Sequence, residues 1–535
     1  MEHPYQYDII FVLGEKYFDH PFCGTAILRR LLEKNSYSCA VIEMPQKAED
    51  IMKFGKPKLF FGVSSGAIDS MVRNYTALNR PREKDELLGY EKKIPDRALI
   101  VYCNWIRQKF KDSKLVIGGT EATLRRFTHY DYWQNSLRKS IIFDTRADIL
   151  VYGSGEKQIL EIAERLSEGD NIEGIEGTCV KSREIPKRDF VLLPSHEEVL
   201  KDKFKFCDMQ NLLSNSKNLA QKTDNFYIIQ YKTPGYTTED IDEYYELGFS
   251  RDVRKVPYMK GFEFSIVTHR GCIGNCNFCS LRLTMGDKII SRSEESIIRE
   301  IESLKSSRDF KGIIDDFGGP SANMYGIDFD RDIEKSHQRL VHLLRKIREI
   351  SGIKKVFIRS GIRYDLATPE YIREITKHHI SGKLKIAPEH VNEEVLKLMN
   401  KQSGSLDNFI KEFNKIGCGE LSFYFMTGHP GSSMKEAREL AEKIKHLKNA
   451  ESVQIFTPTP MTVSTCMYYT GLDPRTKKPI YVPYTFAEKK EQKRVLELAD
   501  YRDVRKKQRP EERKSTNHKS RHPSRVHYRL NTVKR

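Results

Sequence analysis

Three cysteines within eight residues have the spacing of ligands to one metal centre. Cys272, Cys276 and Cys279 stand at C-x3-C-x2-C spacing, directly after a strand-like stretch at 262–267. Soft thiolate ligands suit zinc ions and iron–sulfur clusters. A four-iron cluster held by only three thiolates keeps one iron open for a substrate or cofactor. Phe278, immediately before the last cysteine, would shield such a cluster from water.

A structural zinc site is the alternative interpretation of the same cysteines. Zinc in structural sites takes four protein ligands, so a fourth ligand would have to come from elsewhere, such as His269 or Cys207. The tight spacing of the three cysteines and the strand-and-helix pattern that follows them favour the cluster.

Length and composition predict a soluble protein of two or three domains. The chain has 535 residues, of which 39% are hydrophobic and 10% aromatic, and this is too long for one ordinary core. No apolar run is long enough to cross a bilayer, and Met1–Pro4 does not begin a signal peptide. The ten cysteines are therefore expected to be reduced thiols of a cytoplasmic protein without a membrane partner.

The net charge of +17 is concentrated at the end of the chain. Residues 501–535 contain 13 Lys and Arg against three Asp and Glu, which accounts for ten of those charges. After Ala487 the sequence predicts a charged helical stretch, and Arg502–Arg535 is expected to be disordered. The basic tail, assigned to 491–535, could contact RNA through phosphates. Its last thirty residues contain one aromatic residue, Tyr528, so base stacking is not implied. A solvated appendage is the favoured interpretation.

The first 185 residues alternate strands and helices. Strands are predicted at 8–13, 39–42, 58–63, 114–117 and 149–152, with a helix at 25–34. Three of the strands end in small residues, where open α/β sheets place their ligands. We expect an α/β chain that begins with a flavodoxin-like doubly wound domain at 1–185. A mixed connector is expected at 186–255.

Residues 256–490 repeat a strand-and-helix unit six times. Strands are predicted at 264–268, 312–316, 355–359, 384–387, 421–426 and 453–457. This pattern predicts a partial (β/α)6 barrel, in which chemistry takes place at the carboxyl ends of the strands. The three cysteines follow the first strand, as this architecture requires.

Further candidates for the site follow the second, third and fourth predicted strands. They are Gly318, Gly319 and Pro320, then Arg359 and Ser360, then Glu389 and His390. The glycines also suit a tight exit from a strand, and the arginine suits an ion pair with Asp365 or Asp316. The carboxylate and imidazole at 389–390 could transfer a proton. Cys418 and Cys466 have no ligand spacing and are expected to be small buried residues, although Cys466 lies near the barrel mouth.

The C-x3-C-x-aromatic-C signature resembles that of the radical S-adenosylmethionine (SAM) superfamily. The segments 193–199, 249–251, 268–272, 291–297 and 318–325 resemble the YgiQ-type family within it, and the likeness covers residues 5–490. The resemblance implies a 4Fe-4S cluster on the three cysteines and SAM on the open iron. Reduction, by a donor such as flavodoxin or ferredoxin, would cleave SAM to methionine and a 5′-deoxyadenosyl radical that attacks an unknown substrate.

The same resemblance assigns roles to the residues at the strand ends. Backbone oxygens of Gly318 and Gly319 would meet the SAM amino group, although Pro320 stands where Glu is common. Arg359 would bind the SAM carboxylate, and Ser360 offers a hydroxyl to the carboxylate or the ribose. The pair at 389–390 would contact the ribose.

The N-terminal domain resembles the cobalamin-binding domains that precede many radical SAM domains. Their ligating pattern is D-x-H-x-x-G, and the comparable segment Asp19–Gly24 places Pro21 at the ligand position, with His20 one place early. Cobalamin is therefore not expected. Two rival functions stay open: a cobalamin-dependent radical SAM methyltransferase, and a non-catalytic zinc-binding protein associated with RNA. The identity of the metal discriminates the second from an enzyme.

Overall fold

The computed structural model describes residues 6–507 apart from 331, 381, 402–405, 417, 418 and 448. Cys418 and the end of the basic tail, 508–535, lie outside the described residues, as does most of the predicted RNA-binding segment. No helix in the described part combines the length and apolar character needed to cross a bilayer.

A parallel sheet forms the first part of the chain. Its strands are β1 (Ile9–Leu13), β2 (Cys39–Glu43), β3 (Phe60–Ser64), β4 (Lys114–Gly118) and β5 (Ile149–Val151). Their spatial order is β2-β1-β3-β4-β5, and every pairing among them is parallel. This is the flavodoxin-like order. The prediction of a doubly wound domain is therefore confirmed.

The sheet continues past residue 185 into the stretch predicted to be a connector. Four more strands join it: β6 (Thr178–Ser182), β7 (Val191–Leu193), β8 (Leu219–Thr223) and β9 (Phe226–Gln230). β6 pairs with β5, and the order then runs β6-β9-β8-β7 to make nine strands. Residues 186–230 are thus part of the first sheet, because β9 pairs antiparallel with β6 on one side and with β8 on the other.

Six parallel strands with helices between them form the second part of the chain. They are β10 (Ile266–Val267), β11 (Ile313–Ile314 and Phe317–Gly318), β12 (Lys355–Val356), β13 (Lys383–Glu389), β14 (Glu420–Thr427) and β15 (Ala450–Ile455). Parallel pairings or bridges connect each strand to the next in chain order. This is the predicted partial barrel.

Two carboxylates interrupt β11 in the middle. The Asp315 carboxylate accepts a hydrogen bond from the backbone amide of Phe264 at 2.9 Å. The Asp316 carboxylate accepts from the amide of Arg359 at 2.7 Å. At the break, β11 thus bonds its neighbours through two side chains, in addition to the backbone bonds from Ile266 to the Asp316 carbonyl and from Asp315 to the Phe264 carbonyl.

The helices lie around these strands. Those of the first part are α1 (Gly24–Lys34), α2 (Ala98–Lys109), α3 (Glu156–Glu168), α4 (Lys203–Leu212) and α5 (Thr238–Tyr245). Those of the second part are α6 (Glu294–Leu304), α7 (Ile333–Glu349), α8 (Pro369–His378), α9 (Glu393–Leu398), α10 (Leu406–Ile416), α11 (Met434–Ile444), α12 (Val463–Thr470) and α13 (Phe486–Lys507). Two hairpins join His129–Asp131 to Ser136–Arg138 and His269–Arg270 to Ile290–Ser291.

The C-terminal helix corrects the predicted start of the tail at residue 491. Leu496 and Ala499 of α13 are buried in the same apolar core as the barrel helices. The Gln492 side chain accepts from the Gly428 amide and donates to the Ser432 carbonyl. The charged helix that the sequence predicts after Ala487 is thus present, and it packs against the barrel at least as far as Ala499, which the high charge of this stretch does not reveal.

A buried ion pair joins the two parts next to the cysteines. Arg270 Nη1 donates to the Glu156 carboxylate at the start of α3, at 2.7 Å, and Arg270 Nε donates to the Tyr245 hydroxyl. Both charged side chains are less than a tenth exposed. Because a buried charge is costly without its partner, this pair fixes the first sheet against the segment that leads into the cysteine loop.

Candidate metal centre at the barrel mouth

The cysteine loop, residues 271–286, begins with a glycine that no other residue could replace. Gly271 has φ +85°, and a Cβ there would lie 1.8 Å from the Lys288 carbonyl oxygen. The amide of Cys272 donates to the Gly286 carbonyl at 3.2 Å. The loop therefore closes on itself immediately after the first barrel strand, and its cysteines start at the carboxyl end of that strand.

Asn277, between the second and third cysteines, holds the loop from two sides. Its amide and its side chain donate to the carbonyls of Met399 and Leu398, at 2.8 and 2.7 Å. Its own carbonyl accepts from the Ser464 amide at 2.9 Å. Asn277 is 5% exposed. No local pattern in the sequence predicts this role, because the residues that bond Asn277 lie more than 120 positions away in the chain.

The three thiols differ from the other described cysteines in being accessible. Cys272, Cys276 and Cys279 are half-buried and unpaired, whereas the remaining six described cysteines are buried. Burial, together with the neighbouring thiols of Cys276 and Cys272, raises the pKa of Cys279 to about 11. Thiols that disfavour each other's ionisation in this way lie close together. The donor set fits a thiolate-bound cluster, although no group of three or more His, Cys, Asp or Glu side chains in the described ranges has the geometry to hold a metal ion.

The two candidates for a fourth zinc ligand are both buried. The Cys207 thiol lies 4.0 Å from the Thr470 hydroxyl. The His269 ring bonds through Nδ1 to the Thr268 hydroxyl at 2.8 Å, and its Nε2 is buried against Gly319 without a hydrogen-bond partner among the described residues. The part of the chain that the structure describes thus offers no closed four-ligand site around the three cysteines.

The glycines after the second strand are required for close packing. A Cβ at Gly319 would lie 2.6 Å from Cε1 of His269, and one at Gly318 would lie 3.2 Å from Ala322. The Gly318 carbonyl accepts from the Thr268 amide at 2.9 Å, which uses one of the two lone pairs of this oxygen. Pro320 is half-buried. Neither glycine has a positive φ, so close approach and not backbone freedom explains them.

Arg359 and Ser360 are turned away from the expected role. The Arg359 guanidinium donates to the Gly261 carbonyl at 2.6 Å and lies over the Phe262 and Phe357 rings. The Ser360 hydroxyl donates to the Asp316 carboxylate at 2.5 Å. Both side chains are thus engaged near the break in β11, and the structure does not bring them to the thiols.

Arg363, four residues further along, takes the place expected for Arg359. A Cβ at Gly274 would lie 2.4 Å from Arg363 Nη1 and 3.3 Å from the Cys272 sulfur, so guanidinium and thiol lie on the same side of the loop. Arg363 Nε donates to the Asp365 carboxylate at 2.8 Å. The sequence points to Arg359 and not to Arg363, because the path of the chain beyond β12 leaves no local signal.

Glu389 lies near the cysteine loop, at the carboxyl end of β13. Glu389 lies at a register shift between β13 and β14 and has φ +68°, and such bulges re-aim side chains. Its carboxylate is close enough to Cys276 and Cys279 to raise the pKa of both thiols. Burial raises the pKa of Glu389 to about 7, against the opposing charge of Lys401.

Glu389 and His390 carry polar atoms without partners in the described part of the chain. They are Glu389 Oε2 and His390 Nε2, on residues that are 5% and 2% exposed. His390 Nδ1 accepts from the Asn392 amide at 3.0 Å, so Nε2 carries the proton and is a donor. Because buried polar atoms normally have partners, the unsatisfied acceptor on Glu389, near the thiols, and the unsatisfied donor on the next residue fit a polar ligand.

Comparisons with known proteins agree with this arrangement. The "Radical SAM N-terminal" model matches residues 3–263, the "Radical SAM superfamily" model matches 266–444, and a "Domain of unknown function (DUF3362)" model matches 451–506. A UPF0313 protein of Methanocaldococcus jannaschii is 42% identical over 91% of this chain and 89% of its own. One of Fusobacterium nucleatum is 39% identical over 91% and 95%.

The chain belongs to the UPF0313 family of radical SAM proteins. Its resemblance to the YgiQ-type family is thereby confirmed, and it is a radical SAM enzyme whose specific reaction is open.

Two solved structures share the fold across both parts of this radical SAM enzyme. The methyltransferase TsrM from Kitasatospora setae, solved with cobalamin and a 4Fe-4S cluster, is 14% identical, covers 92% of this chain and 91% of its own, and has a TM-score of 0.55. The cobalamin-dependent enzyme OxsB is 12% identical, covers 93% and 62%, and has a TM-score of 0.50. The identities are low enough that these likenesses establish the fold alone.

The segment compared with the cobalamin-ligating pattern is packed inside the radical SAM enzyme. His20 is fully buried; its Nε2 donates to the Glu263 carbonyl at 3.0 Å and its Nδ1 accepts from the Phe22 amide at 3.0 Å. Pro21, at the ligand position, has no metal-binding atom. Both nitrogens of the one nearby imidazole are therefore already used.

The carboxyl edge of the first sheet is closed by direct contact between its loops. A Cβ on Gly14 would lie 2.4 Å from the Ser65 carbonyl oxygen, and one on Gly119 would lie 2.4 Å from the Ser64 hydroxyl. The Arg73 guanidinium, 1% exposed, donates to the Gly14 carbonyl at 2.7 Å. The residues at this edge do not fit a corrin ring.

Proposed function

We propose that this radical SAM enzyme holds a 4Fe-4S cluster on Cys272, Cys276 and Cys279 and binds SAM at the iron that lacks a protein ligand. The observation that carries the proposal is the combination of three accessible thiols with the unsatisfied carboxylate oxygen of Glu389 near them. Loaded with these two groups, the site supplies the one-electron cleavage of SAM to methionine and a 5′-deoxyadenosyl radical.

The chain's own side chains divide the work of holding SAM. Glu389 Oε2 accepts hydrogen bonds and His390 Nε2 donates one, which suits hydroxyl groups that both donate and accept. Arg363 provides the cation on the Cys272 side of the loop, where it can oppose the charge of a carboxylate. Phe278, edge-on to His429 with ring centres 6.3 Å apart, keeps water from the same side.

Anaerobic reconstitution with iron and sulfide tests the proposal. Wild type and Cys276→Ala are compared with Cys179→Ala, a buried thiol in the first sheet. We expect four irons per chain and 5′-deoxyadenosine after reduction with SAM in wild type and Cys179→Ala, and neither in Cys276→Ala. Stoichiometric zinc without iron uptake or SAM cleavage would overturn the proposal and favour the zinc-binding, RNA-associated alternative.

We further propose that the enzyme works without a corrinoid, although TsrM and OxsB contain cobalamin. The support is the closed edge of the first sheet and the occupied nitrogens of His20. Hydroxocobalamin added to the reconstituted enzyme is expected to separate from it on gel filtration, as read by corrin absorbance. Stoichiometric retention would contradict this and favour cobalamin-dependent radical methylation.

A further inference from the structure

One arginine of the first part is fully buried, although no acidic side chain of the described residues pairs with it. Arg126, in the chain between β4 and β5, is 0% exposed. Its Nε donates to the Gln230 side-chain oxygen at 2.8 Å, its Nη1 to the Thr123 carbonyl at 2.7 Å, and its Nη2 to the Asn215 side-chain oxygen at 2.7 Å. Fully buried arginines are rare unless they are paired, so a cation with three neutral acceptors requires a reason of its own.

Arg126 sets the direction of the Asn215 side-chain amide. A guanidinium has donors and no acceptor, so Asn215 must turn its Oδ1 toward Arg126 and its Nδ2 away from it. On that far side, Nδ2 donates to the Leu283 carbonyl at 3.0 Å. The main chain of Asn215 is fixed as well, because its carbonyl accepts from the Thr233 amide at 2.8 Å. Arg126 thus determines that Asn215 presents a donor, and not an acceptor, to Leu283.

Leu283 belongs to the cysteine loop, in the turn that follows its third cysteine. The amides of Leu283 and Thr284 donate to the Ser280 carbonyl at 2.9 and 3.1 Å, and Ser280 is next to Cys279 in the chain. A Cβ on Gly153, just beyond β5, would lie 3.9 Å from the Thr284 carbonyl oxygen. This turn therefore rests on the carboxyl edge of the first sheet, and the bond to Leu283 holds it there.

We propose that Arg126 is a positioning residue for the cluster. Through Asn215 it holds the turn after Cys279, and with it the Cys279 thiol, in the place from which that thiol binds iron. This role rests on the proposed function, because it concerns the cluster that the three cysteines are proposed to hold. The first part of the chain, whose own carboxyl edge is closed, thereby supports the metal centre of the second part.

The variant Asn215→Asp separates this role from a purely structural one. Its carboxylate still accepts from Arg126 and gives that cation an acidic partner, but it has no N–H to donate to the Leu283 carbonyl. Arg126 and the fold around it are then bonded at least as well as in wild type, whereas the turn after Cys279 loses its bond to the first sheet. A purely structural arginine predicts no change in the turn.

Hydrogen exchange of the full-length, iron-free protein measures how firmly this turn is held. Because one hydrogen bond is lost, we expect the amides at 280–286 to exchange at least about tenfold faster in Asn215→Asp than in wild type, with no fall in the urea midpoint. Asn171→Asp, which adds the same charge at an exposed position, should match wild type. Unchanged exchange at 280–286 would overturn the proposal. Should Asn215→Asp not fold, Asn215→Ala, which also lacks the donor, decides by the same measurement.

Iron loss from the reconstituted protein tests the role at the cluster itself. Release of iron to a ferrous chelator under anaerobic conditions should be at least about fivefold faster in Asn215→Asp than in wild type and Asn171→Asp. Equal rates in all three proteins would overturn the positioning role. Failure of wild type to take up iron would instead overturn the proposed function, and the exchange experiment, which needs no iron, distinguishes the two results.

Discussion

The carboxyl edges of the two parallel sheets in this molecule have the same place in the topology but carry different residues. Both edges are where α/β folds place ligands. At the first sheet, loops touch one another and Arg73 is buried with Asp85. At the barrel, three thiols remain accessible and Glu389 carries an unsatisfied oxygen. The carboxyl edge of a parallel sheet is therefore only a candidate site, and its side chains determine whether a ligand can bind there.

Breaking the buried ion pair at the closed edge is the largest expected effect. Arg73→Ala leaves Asp85, which is 2% exposed, without its partner, so we expect a loss of about 3–5 kcal/mol in the free energy of unfolding. Urea denaturation measures it. Arg254→Ala removes an arginine from an exposed pair with Asp252 and should leave the midpoint unchanged. Equal midpoints for both variants would show that the edge is not held by this pair.

Gly271→Ala should reduce iron binding at the carboxyl edge of the barrel. The Cβ would meet the Lys288 carbonyl oxygen at 1.8 Å, at a backbone φ of +85° that costs about 1–2 kcal/mol even without a clash. We expect less than about a quarter of wild-type iron uptake. Gly235→Ala, where a Cβ meets nothing within 4 Å, is the matched control, and full iron content in Gly271→Ala would refute the role of this turn.

Lys489, at a contact between the two parts of the chain, should make the free energy of unfolding depend on pH. It is fully buried, and its ammonium donates to the Tyr468 hydroxyl at 2.9 Å and the Tyr132 hydroxyl at 3.4 Å. Burial lowers the pKa of Lys489 from 10.5 to about 8. Between these values the unfolded chain binds more protons than the folded one, so stability contributed by Lys489 rises with pH across that window and is constant below it.

The variant Lys489→Met isolates this contribution. Relative to it, wild type should gain up to about 3 kcal/mol in unfolding free energy between pH 8 and 10.5. Urea denaturation of both proteins at several pH values measures the gain. Parallel pH profiles for the two proteins would contradict a buried amine at this contact.

Variants of Arg363 and Arg359 test which of the two arginines serves the site: Arg363, as the structure indicates, or Arg359, as expected from the sequence. Arg363→Met should lower the rate of SAM cleavage about 10- to 100-fold, or about 1.4–2.7 kcal/mol in the barrier, because it removes the cation beside Cys272. Arg359→Met, which loses a bond to the Gly261 carbonyl, should change that rate less than about threefold. The reverse order of effects would restore Arg359 to the site.

Local signals in the sequence were enough to predict most elements. The helices Ile333–Glu349 and Pro369–His378 begin where the sequence shows a capping residue, because the Asp332 and Thr368 side chains accept hydrogen bonds from their first turns. The three cysteines were likewise found from spacing alone.

Contacts between distant segments account for what the sequence did not reveal. The pairing of β9 with β6, the support of Asn277 by Leu398 and Ser464, and the burial of Arg73 leave no periodic pattern. A charged stretch such as that around Leu496 hides a buried face in the same way. The choice between Arg359 and Arg363 depended on how the chain leaves β12, which spacing does not specify.

Equilibrium dialysis of one reconstituted, anaerobic sample against both SAM and hydroxocobalamin tests the comparison of the two edges most directly. Because the barrel edge is open, we expect about one SAM bound per chain, and none in Cys276→Ala. Because the edge of the first sheet is closed, we expect no corrinoid above the level that the denatured chain retains. Retention of one corrinoid per chain, or SAM binding that survives the loss of Cys276, would contradict the account.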